Sequence, residues 1–553
     1  MRQPDSPLTP LESPFHAAQW LHSCVTGQLH IDSRKVRAGD GFVAWPGAAV
    51  DGRAFVADAL RQGAHACLVE AVGVEAFAFN TPESNAGMDS GMVGGMGSGV
   101  GCYPGLKAAA GLIAAEYYGN PTLELAVVAI TGTNGKTSTA WWLAHALSNA
   151  APQVHPNSLL NSEQTIDIPC GLVGTLGIGK PQQGHFDFIT TGMTTPDPVL
   201  LQQTFREFVA GGLKACAIEA SSIGLEEQRL AGTHIRCAVF TNFTQDHLDY
   251  HGSMDAYWLA KAALFQWPGL QSAVINIDDS YGVDLAASLS NTDLDVWTVS
   301  CAHPARLQAS GITFEKGGLC FTVTESIGTD GGAEAHQLVT HMIGQYNVSN
   351  LLGVMGAMRS LGVPLAACIR ACGNLQPVPG RMTCLGGSAQ PLVAVDYAHT
   401  PDALSNALQA LRPLTSQRGG QLWCVFGCGG DRDPIKRPLM GAIAARFADR
   451  VVVTSDNPRS ETPQSIISQI LLGLAGHEAV EVQSDRALAI AYALRGATVN
   501  DVVLVAGKGH EAYQEMAGVK HPFSDEHHVA LCLQAWQTLQ TLEVDPAPRE
   551  VAV

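Results

Sequence analysis

A chain of 553 residues is too long for one compact core, and about two to four domains are expected. It is 46% hydrophobic and 15% charged with 58 Gly, a globular composition enriched in loop-forming glycine. The net charge of -18 argues against sequence-independent nucleic-acid binding, so any phosphate must be held locally by backbone N–H groups, a few Lys or Arg and metal ions.

The N-terminal stretch MRQPDSPLTPLESPF has no apolar core of a secretory signal, and no apolar run reaches the roughly 18 residues of a membrane span. The 14 cysteines are scattered, mostly in apolar surroundings such as those of Cys216, Cys237 and Cys424. A reduced cytoplasmic setting is expected. Further along, DGFVAWPG and HACLVE read as short strands around the helix GRAFVADALRQG, a small α/β unit. Residues 83–105 are Gly/Met/Ser-rich without a period and read as a flexible insertion or loop. From Leu123, LELAVVAIT, the helix around Trp141–Leu147, ACAIEAS, CAVFTNF and SAVINID alternate strand and helix, the pattern of a mostly parallel sheet. Residues 151–170 read as a polar surface excursion. A further parallel α/β unit begins near Pro377, with strands PLVAVDY, QLWCVFGC, RVVVTSD and DVVLVAG. Its polar loops GCGGDRD, SDNPR and GKGHE fall at the C-terminal strand ends, where open sheets of this kind bind ligands. The expected units are 1–122, 123–376 and 377–553.

The segment TGTNGKTS has the build of a phosphate cradle. Gly132 and Gly135 let backbone N–H groups approach an anion, and the helix that follows adds its positive end. Lys136 can reach the β- and γ-phosphates, and the Thr137 hydroxyl can ligate Mg²⁺. Ile130 stands where the standard pattern has a glycine, so the loop is a variant. Glu219 ends an apolar strand and is a candidate Mg²⁺ ligand, or a solvated strand-end acid. TNFTQDHLDYH packs Asp246, His247, Asp249 and His251 into six residues. That is a capped polar turn or a metal–phosphate site, and the absence of a nearby Cys favours Mg²⁺ over zinc. In the helix MDAYWLAKAALFQW, Tyr257, Lys261 and Leu264 share one apolar stripe. Lys261 there either snorkels or is buried with a depressed pKa, in which case it could take up CO₂ as an anionic carbamate.

Together TGTNGKTS, EASS, TNFTQDHLDYH with Lys261, NVSN (347–350), GRM (380–382) and DYAHTPDAL (396–404) resemble the Mur ligases. GGDRDPIKRPLMG, SDNPR and GKGHEAYQ resemble the diaminopimelate-adding branch of that family. The resemblance covers nearly the whole chain. It implies an α/β protein of three domains: a small N-terminal α/β domain for a UDP-sugar peptide, a central P-loop ATPase-type parallel sheet, and a C-terminal Rossmann-like domain for the amino acid. It implies ATP-dependent amide formation through an acyl phosphate in peptidoglycan precursor synthesis. The implied substrates are UDP-N-acetylmuramoyl-L-alanyl-D-glutamate and meso-2,6-diaminopimelate, with ATP and Mg²⁺. No nucleic-acid partner and no membrane span are expected, and the chain is expected to be a monomer.

Residue by residue, the resemblance places ATP on Gly132, Thr133, Asn134, Gly135, Lys136, Thr137 and Ser138, with Asn347, Asn350, Arg381, Asp396 and His399 closing over the nucleotide. Thr137 and Glu219 correspond to ligands of one Mg²⁺, and His247 and a carbamylated Lys261 to ligands of a second; Lys136, Glu219, His247 and Lys261 form the catalytic set. Ile31, Ser33, Thr194, Thr195, Ser221, Glu227 and Arg229 correspond to UDP-substrate contacts. Arg432, Asp456, Asn457, Pro458, Arg459, Gly507 and Glu511 correspond to the diaminopimelate site. An Arg there suits the distal carboxylate, which its planar fork meets bidentately, and Glu511 suits the distal ammonium. The chain departs from the family pattern at Ala48-Ala49-Val50, Met193, Ile223 and Glu227. Another amide ligase of the superfamily, such as a folylpolyglutamate synthase, is disfavoured by SDNPR and the N-terminal unit. A non-catalytic ATP-gated binding protein is disfavoured by the intact Lys136, Glu219, His247 and Lys261.

Overall fold

The computed structural model describes residues 8–47, 50–77, 79, 99–148, 168–182, 185–315, 318–327, 332–387 and 389–544. Among the described residues, three large sheets follow one another along the chain, with a small hairpin beside the last.

The first sheet has five parallel strands in the order Thr9–Pro10, Gly99–Tyr103, Ala66–Glu70, Gly41–Ala44, Leu29–His30. The helix Val56–Arg61 lies between two of these strands in sequence, as its pattern predicts. One expectation is corrected. The end of the Gly/Met-rich stretch, Gly99–Tyr103, is a strand between two others and not part of a loop. Glycine is a poor strand former, so local preference gives no signal there. Tertiary packing decides: a Cβ at Gly101 would stand 3.0 Å from both Leu11 and Trp20. Residues 83–98, 151–167 and Ala48–Ala49 lie outside the described residues.

The central sheet has eleven strands. Its middle is parallel, running Leu307–Glu315, Asp295–Ser300, Ser272–Asn276, Ile235–Phe240, Ala126–Thr131, Ala215–Glu219, Cys170–Gly174. Antiparallel strands extend both ends, Gly318–Ile327 and Gly332–Val339 on one side, Gly177–Gln182 and His185–Ile189 on the other. The division follows burial. Ser272–Asn276, Ala215–Glu219 and Cys170–Gly174 are buried throughout, as strands covered on both faces must be. Gly332–Val339 is largely exposed or half-buried, which an outer antiparallel strand tolerates. Helices Lys136–Ser148 and Tyr346–Ser360 pack on one face, and Pro198–Ala210 and Met254–Ala262 on the other.

The third sheet has six strands in the order Thr383–Gly386, Leu392–Asp396, Val502–Ala506, Leu422–Phe426, Arg450–Val453, Val480–Val482, parallel except for the first pair. Helices cover both faces. At the C-terminal ends of its strands lies a fully buried ion pair. Arg486 Nε and Nη2 each donate to Asp525 at 2.7 Å, and both side chains are 0% exposed. Arg486 also donates to Ala506 O at 2.9 Å and Ser455 O at 3.4 Å, so one guanidinium ties two strand ends to the start of the last helix. Arg486→Met should therefore strand a buried carboxylate and cost about 3–5 kcal/mol of stability, readable by chemical denaturation of the full chain.

Candidate active site

The phosphate loop joins the strand Ala126–Thr131 to the helix Lys136–Ser148. Gly132 has φ +142 and Gly135 φ +84. A Cβ on Gly132 would overlap the Thr241 hydroxyl, and one on Gly135 the Asn350 amide. Ile130, at the variant position, is still in the strand, paired with Glu219 and Val239 and fully buried, so a large side chain is accommodated there. Lys136 Nζ folds back onto the loop, donating to Gly132 O at 2.8 Å and Thr133 O at 2.9 Å. Burial pushes its pKa down, opposed by Glu219 and Asp246 and aided by Arg381.

Thr137 Oγ1 donates to Glu219 Oε2 at 2.9 Å, and Glu219 Oε1 accepts from Thr175 N at 2.8 Å. Lys261 is 1% exposed. Its Nζ donates to Gly132 O at 2.8 Å and lies 4.4 Å from the centre of the Tyr257 ring. Snorkelling is thereby set aside: the amine ends inside the protein, on the phosphate loop. Burial, then the neighbouring Lys136, hold its pKa well below the ordinary value. An amine lowered in this way loses its proton more readily, and is more nucleophilic, than an exposed lysine. The His247 ring lies 5.9 Å from the same Tyr257 ring, and its backbone is left-handed with φ 53. Burial pushes His247 down to about 4 against the pull of Asp246, so it is a neutral imidazole, the form that binds metals. Burial would raise Asp246, but the hydrogen bond from His399 and the charges of His247, His399 and Lys436 hold it well below the usual carboxylate range.

Among the described residues, no three His, Cys, Asp or Glu side chains gather as a closed metal cage. The donors are a hydroxyl, a carboxylate, an imidazole and a lysine. That set suits a hard cation shared with phosphate oxygens better than a structural zinc site.

A cavity of about 560 Å³ lies between the central and third sheets. Asn134, Gly135, Ser138, Asn347 and Asn350 line one side, and Arg381, Asp396, Tyr397 and His399 the other. Polar contacts cross it or its rim. Arg381 Nη2 donates to Thr137 Oγ1 at 3.1 Å, Asn134 Nδ2 to Asp402 at 2.9 Å, Gln245 Nε2 to Asp433 at 3.2 Å, and Arg432 lies 3.7 Å from Asp249. Asp396 has both oxygens taken by backbone N–H groups of Met382 and Ala398, each at 2.8 Å, so it shapes the cavity wall. Asn350 donates to Asn347 at 3.0 Å, beneath the loop glycine.

The set assigned to the UDP substrate gathers near the C-terminal end of Ala215–Glu219. Thr195 Oγ1 donates to Glu219 O at 2.8 Å and sits 2.9 Å from Ser221 Oγ. Arg229 donates to Thr195 O at 3.0 Å, and Thr194 Oγ1 lies 3.1 Å from Thr175 Oγ1. Glu227 accepts from the Tyr250 hydroxyl at 2.7 Å and pairs with Lys107 of the first unit at 2.5 Å. Ile31 and Ser33 sit after the strand Leu29–His30 of the first sheet.

The amino-acid set forms the loops above the third sheet. Asn457 Nδ2 donates to Glu511 Oε2 at 2.8 Å. Arg459 has φ 51, donates through Nη1 to Gly430 O at 2.6 Å and is 3.7 Å from Glu515. Pro458 stands between them in sequence, and Gly507 has φ +118, with no room for a Cβ against Asp456. Sequence reasoning missed Thr175 and Lys508. Thr175 carries no motif and reaches Glu219 only through the sheet. Lys508 lay in plain view in GKGHE, three residues before Glu511, the spacing of a local ion pair.

The chain matches the Mur ligase middle domain over residues 130–358, the Mur ligase glutamate ligase domain over 380–509 and the Mur ligase family catalytic domain over 27–91. The chain belongs to the Mur ligase family. It is 57% identical to the UDP-N-acetylmuramoyl-L-alanyl-D-glutamate–2,6-diaminopimelate ligase of Acidovorax sp. (strain JS42), over 94% of this chain and 96% of that one. It is 43% identical to the ligase of the same name from Pseudomonas aeruginosa, over 92% and 95%. A solved structure of a ligase of that name aligns with TM-score 0.58 at 32% identity, covering 92% of this chain and 95% of that chain. The MurF ligase of Thermotoga maritima, solved with ADP, shares the fold at TM-score 0.61 and 18% identity, over 93% and 99%. This Mur ligase is an ATP-dependent ligase.

Gly135→Ala tests the cradle. A left-handed Ala costs about 1–2 kcal/mol, and its Cβ displaces Asn350. KM for ATP should rise roughly tenfold or more in an ADP-release assay, with KM for the amine unchanged.

Proposed function

We propose that this Mur ligase adds meso-2,6-diaminopimelate to the D-glutamate of UDP-N-acetylmuramoyl-L-alanyl-D-glutamate, using ATP, in cytoplasmic peptidoglycan precursor synthesis. The observation that carries the reading is one cavity with the phosphate loop on one wall, a buried amine bonded to that loop, and charged loops fit for a dipolar amino acid beside the other wall. The relatives' names agree with it. Free thiols at all 14 cysteines accord with a reducing compartment, and no helix among the described residues is long and apolar enough to cross a membrane. The functional units proposed are 1–122, 123–376 and 377–553.

The roles follow from position. Backbone N–H groups of Gly132 to Ser138 receive the phosphates, and Lys136 swings from the loop carbonyls to the β/γ oxygens. Asn347 and Asn350 hold the loop from below; Arg381 and His399 close from the third sheet. Thr137 and Glu219 would hold one Mg²⁺, and His247 with a carbamylated Lys261 a second, together offsetting the charge that builds on the phosphates. The substrate carboxylate, presented by Thr194, Thr195, Ser221 and Arg229, attacks the γ-phosphorus and ADP leaves. The amino group held by the third sheet then attacks the acyl phosphate, and inorganic phosphate leaves. Closure of the cavity keeps water from that intermediate.

Two experiments test this. Lys261 loaded with ¹³CO₂ should show a carbamate carbon resonance that Lys261→Ala lacks, and that variant should lose most turnover, with partial return on adding a short carboxylate. ADP release measured across a panel of amino acids should favour diaminopimelate over lysine. Arg459→Ala should cost roughly 2–5 kcal/mol in kcat/KM for diaminopimelate, about 30- to 3,000-fold, with KM for ATP little changed. Arg459→Lys should recover only part, because an ammonium is a point charge and not a fork. An Arg459→Ala enzyme that kept its preference over lysine would remove the assignment.

A further inference from the structure

Lys508 has the most buried ammonium in the loops above the third sheet. Its side chain is 0% exposed, and Nζ donates to Asn457 Oδ1 at 3.0 Å and Glu511 Oε2 at 2.9 Å. Asn457 Nδ2 donates to that same Glu511 oxygen at 2.8 Å, closing a ring of three side chains, while Asn457 Oδ1 also accepts from Glu515 N at 2.9 Å. Oε2 of Glu511 is therefore fully engaged. Among the described residues its other oxygen, Oε1, meets only the Tyr397 hydroxyl, at 3.3 Å, and keeps capacity for a further donor.

We infer that Lys508 is a positioning residue: it holds Glu511 ionised and turned so that Oε1 can receive the distal ammonium of the amino-acid substrate. The inference rests on the amine-site reading given above. A cation is a costly way to fill space, since a buried charge must recover its desolvation from its partners. An apolar side chain of the same length would serve packing alone. What only the charge supplies is a carboxylate that stays ionised in a closed pocket.

The groups facing Glu511 leave that task to Lys508. Burial pushes Glu511 up; the charge and hydrogen bond of Lys508, then the Asn457 hydrogen bond and His510, bring it below its ordinary value. His510 is itself pushed down to about 4 by burial, so it is neutral near pH 7. Burial raises the Tyr397 phenol, which stays protonated. Arg486 is paired with Asp525, and its charge also reaches Glu511. Without Lys508 the largest influence opposing burial is gone, with only the Asn457 hydrogen bond and weaker charges left, and the folded-state pKa of Glu511 rises. Binding that needs the anion is then lost as pH falls through that raised pKa and regained above it.

The test is KM for diaminopimelate in the full-length wild type and Lys508→Met, from about pH 6 to about pH 8.5, taken as a ratio so that the substrate's own titration cancels. The ratio should climb as pH falls, toward about tenfold per pH unit for a single proton, while KM for ATP stays level. On a Glu511→Gln background, adding Lys508→Met should change KM for diaminopimelate little, because there is no carboxylate left to hold. Lys508→Gln, which keeps a donor without the charge, gives the same pH readout should the methionine variant not fold. A pH-independent ratio overturns the inference, as does a Lys508 effect that adds in full to that of Glu511→Gln. If Glu511→Gln alone leaves KM for diaminopimelate unchanged, the amine-site reading falls, and the inference with it.

Discussion

Two lysine side chains converge on one carbonyl. Lys136 and Lys261 both donate to Gly132 O at 2.8 Å, inside the protein. Two ammonium ions so placed repel strongly where water cannot screen them. The less exposed one, Lys261, is the one driven well below its ordinary pKa. The rest of the active site follows from that asymmetry. Burial pushes both amines down, Lys261 the further, and that makes Lys261 the one better able to take up CO₂ and turn anionic. Carbamylation would replace a repulsion across the loop by an attraction. The helix Met254–Ala262 thus reaches the phosphate loop, although Lys261 and Gly132 are 129 positions apart in sequence.

The second constraint is that two sheets present their C-terminal strand ends to one space. Single polar contacts join them, Arg381 to Thr137, Asn134 to Asp402 and Gln245 to Asp433, beside Ile343 and Tyr346, which pack on the core of the third sheet. Each such hydrogen bond is worth about 0.5–1.5 kcal/mol net. They are strong enough to set a closed geometry and weak enough to be exchanged for contacts to a nucleotide.

Much of this was legible in the sequence because its signals are local. TGTNGKTS specifies its own turn through two glycines that reject a Cβ, and the stripe of Tyr257, Lys261 and Leu264 placed a lysine indoors, where it is found. What escaped was set by distant partners. Gly99–Tyr103 has its strand signal diluted by two glycines and is a strand through its pairing with Thr9–Pro10 and Ala66–Glu70, with Leu11 and Trp20 crowding the place of a side chain at Gly101. The antiparallel ends of the central sheet depend on where edges meet solvent, and a run of apolar residues does not state that. Thr175 reaches Glu219 by sheet order, and Asp396, read as a nucleotide contact, spends both oxygens on backbone N–H groups. The sequence marked the residue and not the direction in which it acts.

Under the loops proposed for the amine lies a layer of buried cations. Arg437 joins Glu461 to Gly429 O, Arg486 joins Ser455 O and Ala506 O to Asp525, and Lys508 joins Asn457 to Glu511. Each spans two loops that come from different strands. Loops at strand ends are ordinarily the mobile part of such a sheet. A substrate charged at both ends is told from a near analogue only if the groups that meet its far end are fixed to within a fraction of an ångström. Apolar packing fixes distance but is indifferent to rotation. A guanidinium or ammonium shared between a carboxylate and loop carbonyls fixes both, because its hydrogen bonds are directional and leaving any of them unmade in the interior is costly. The layer therefore trades stability that apolar side chains could supply for orientation that they could not.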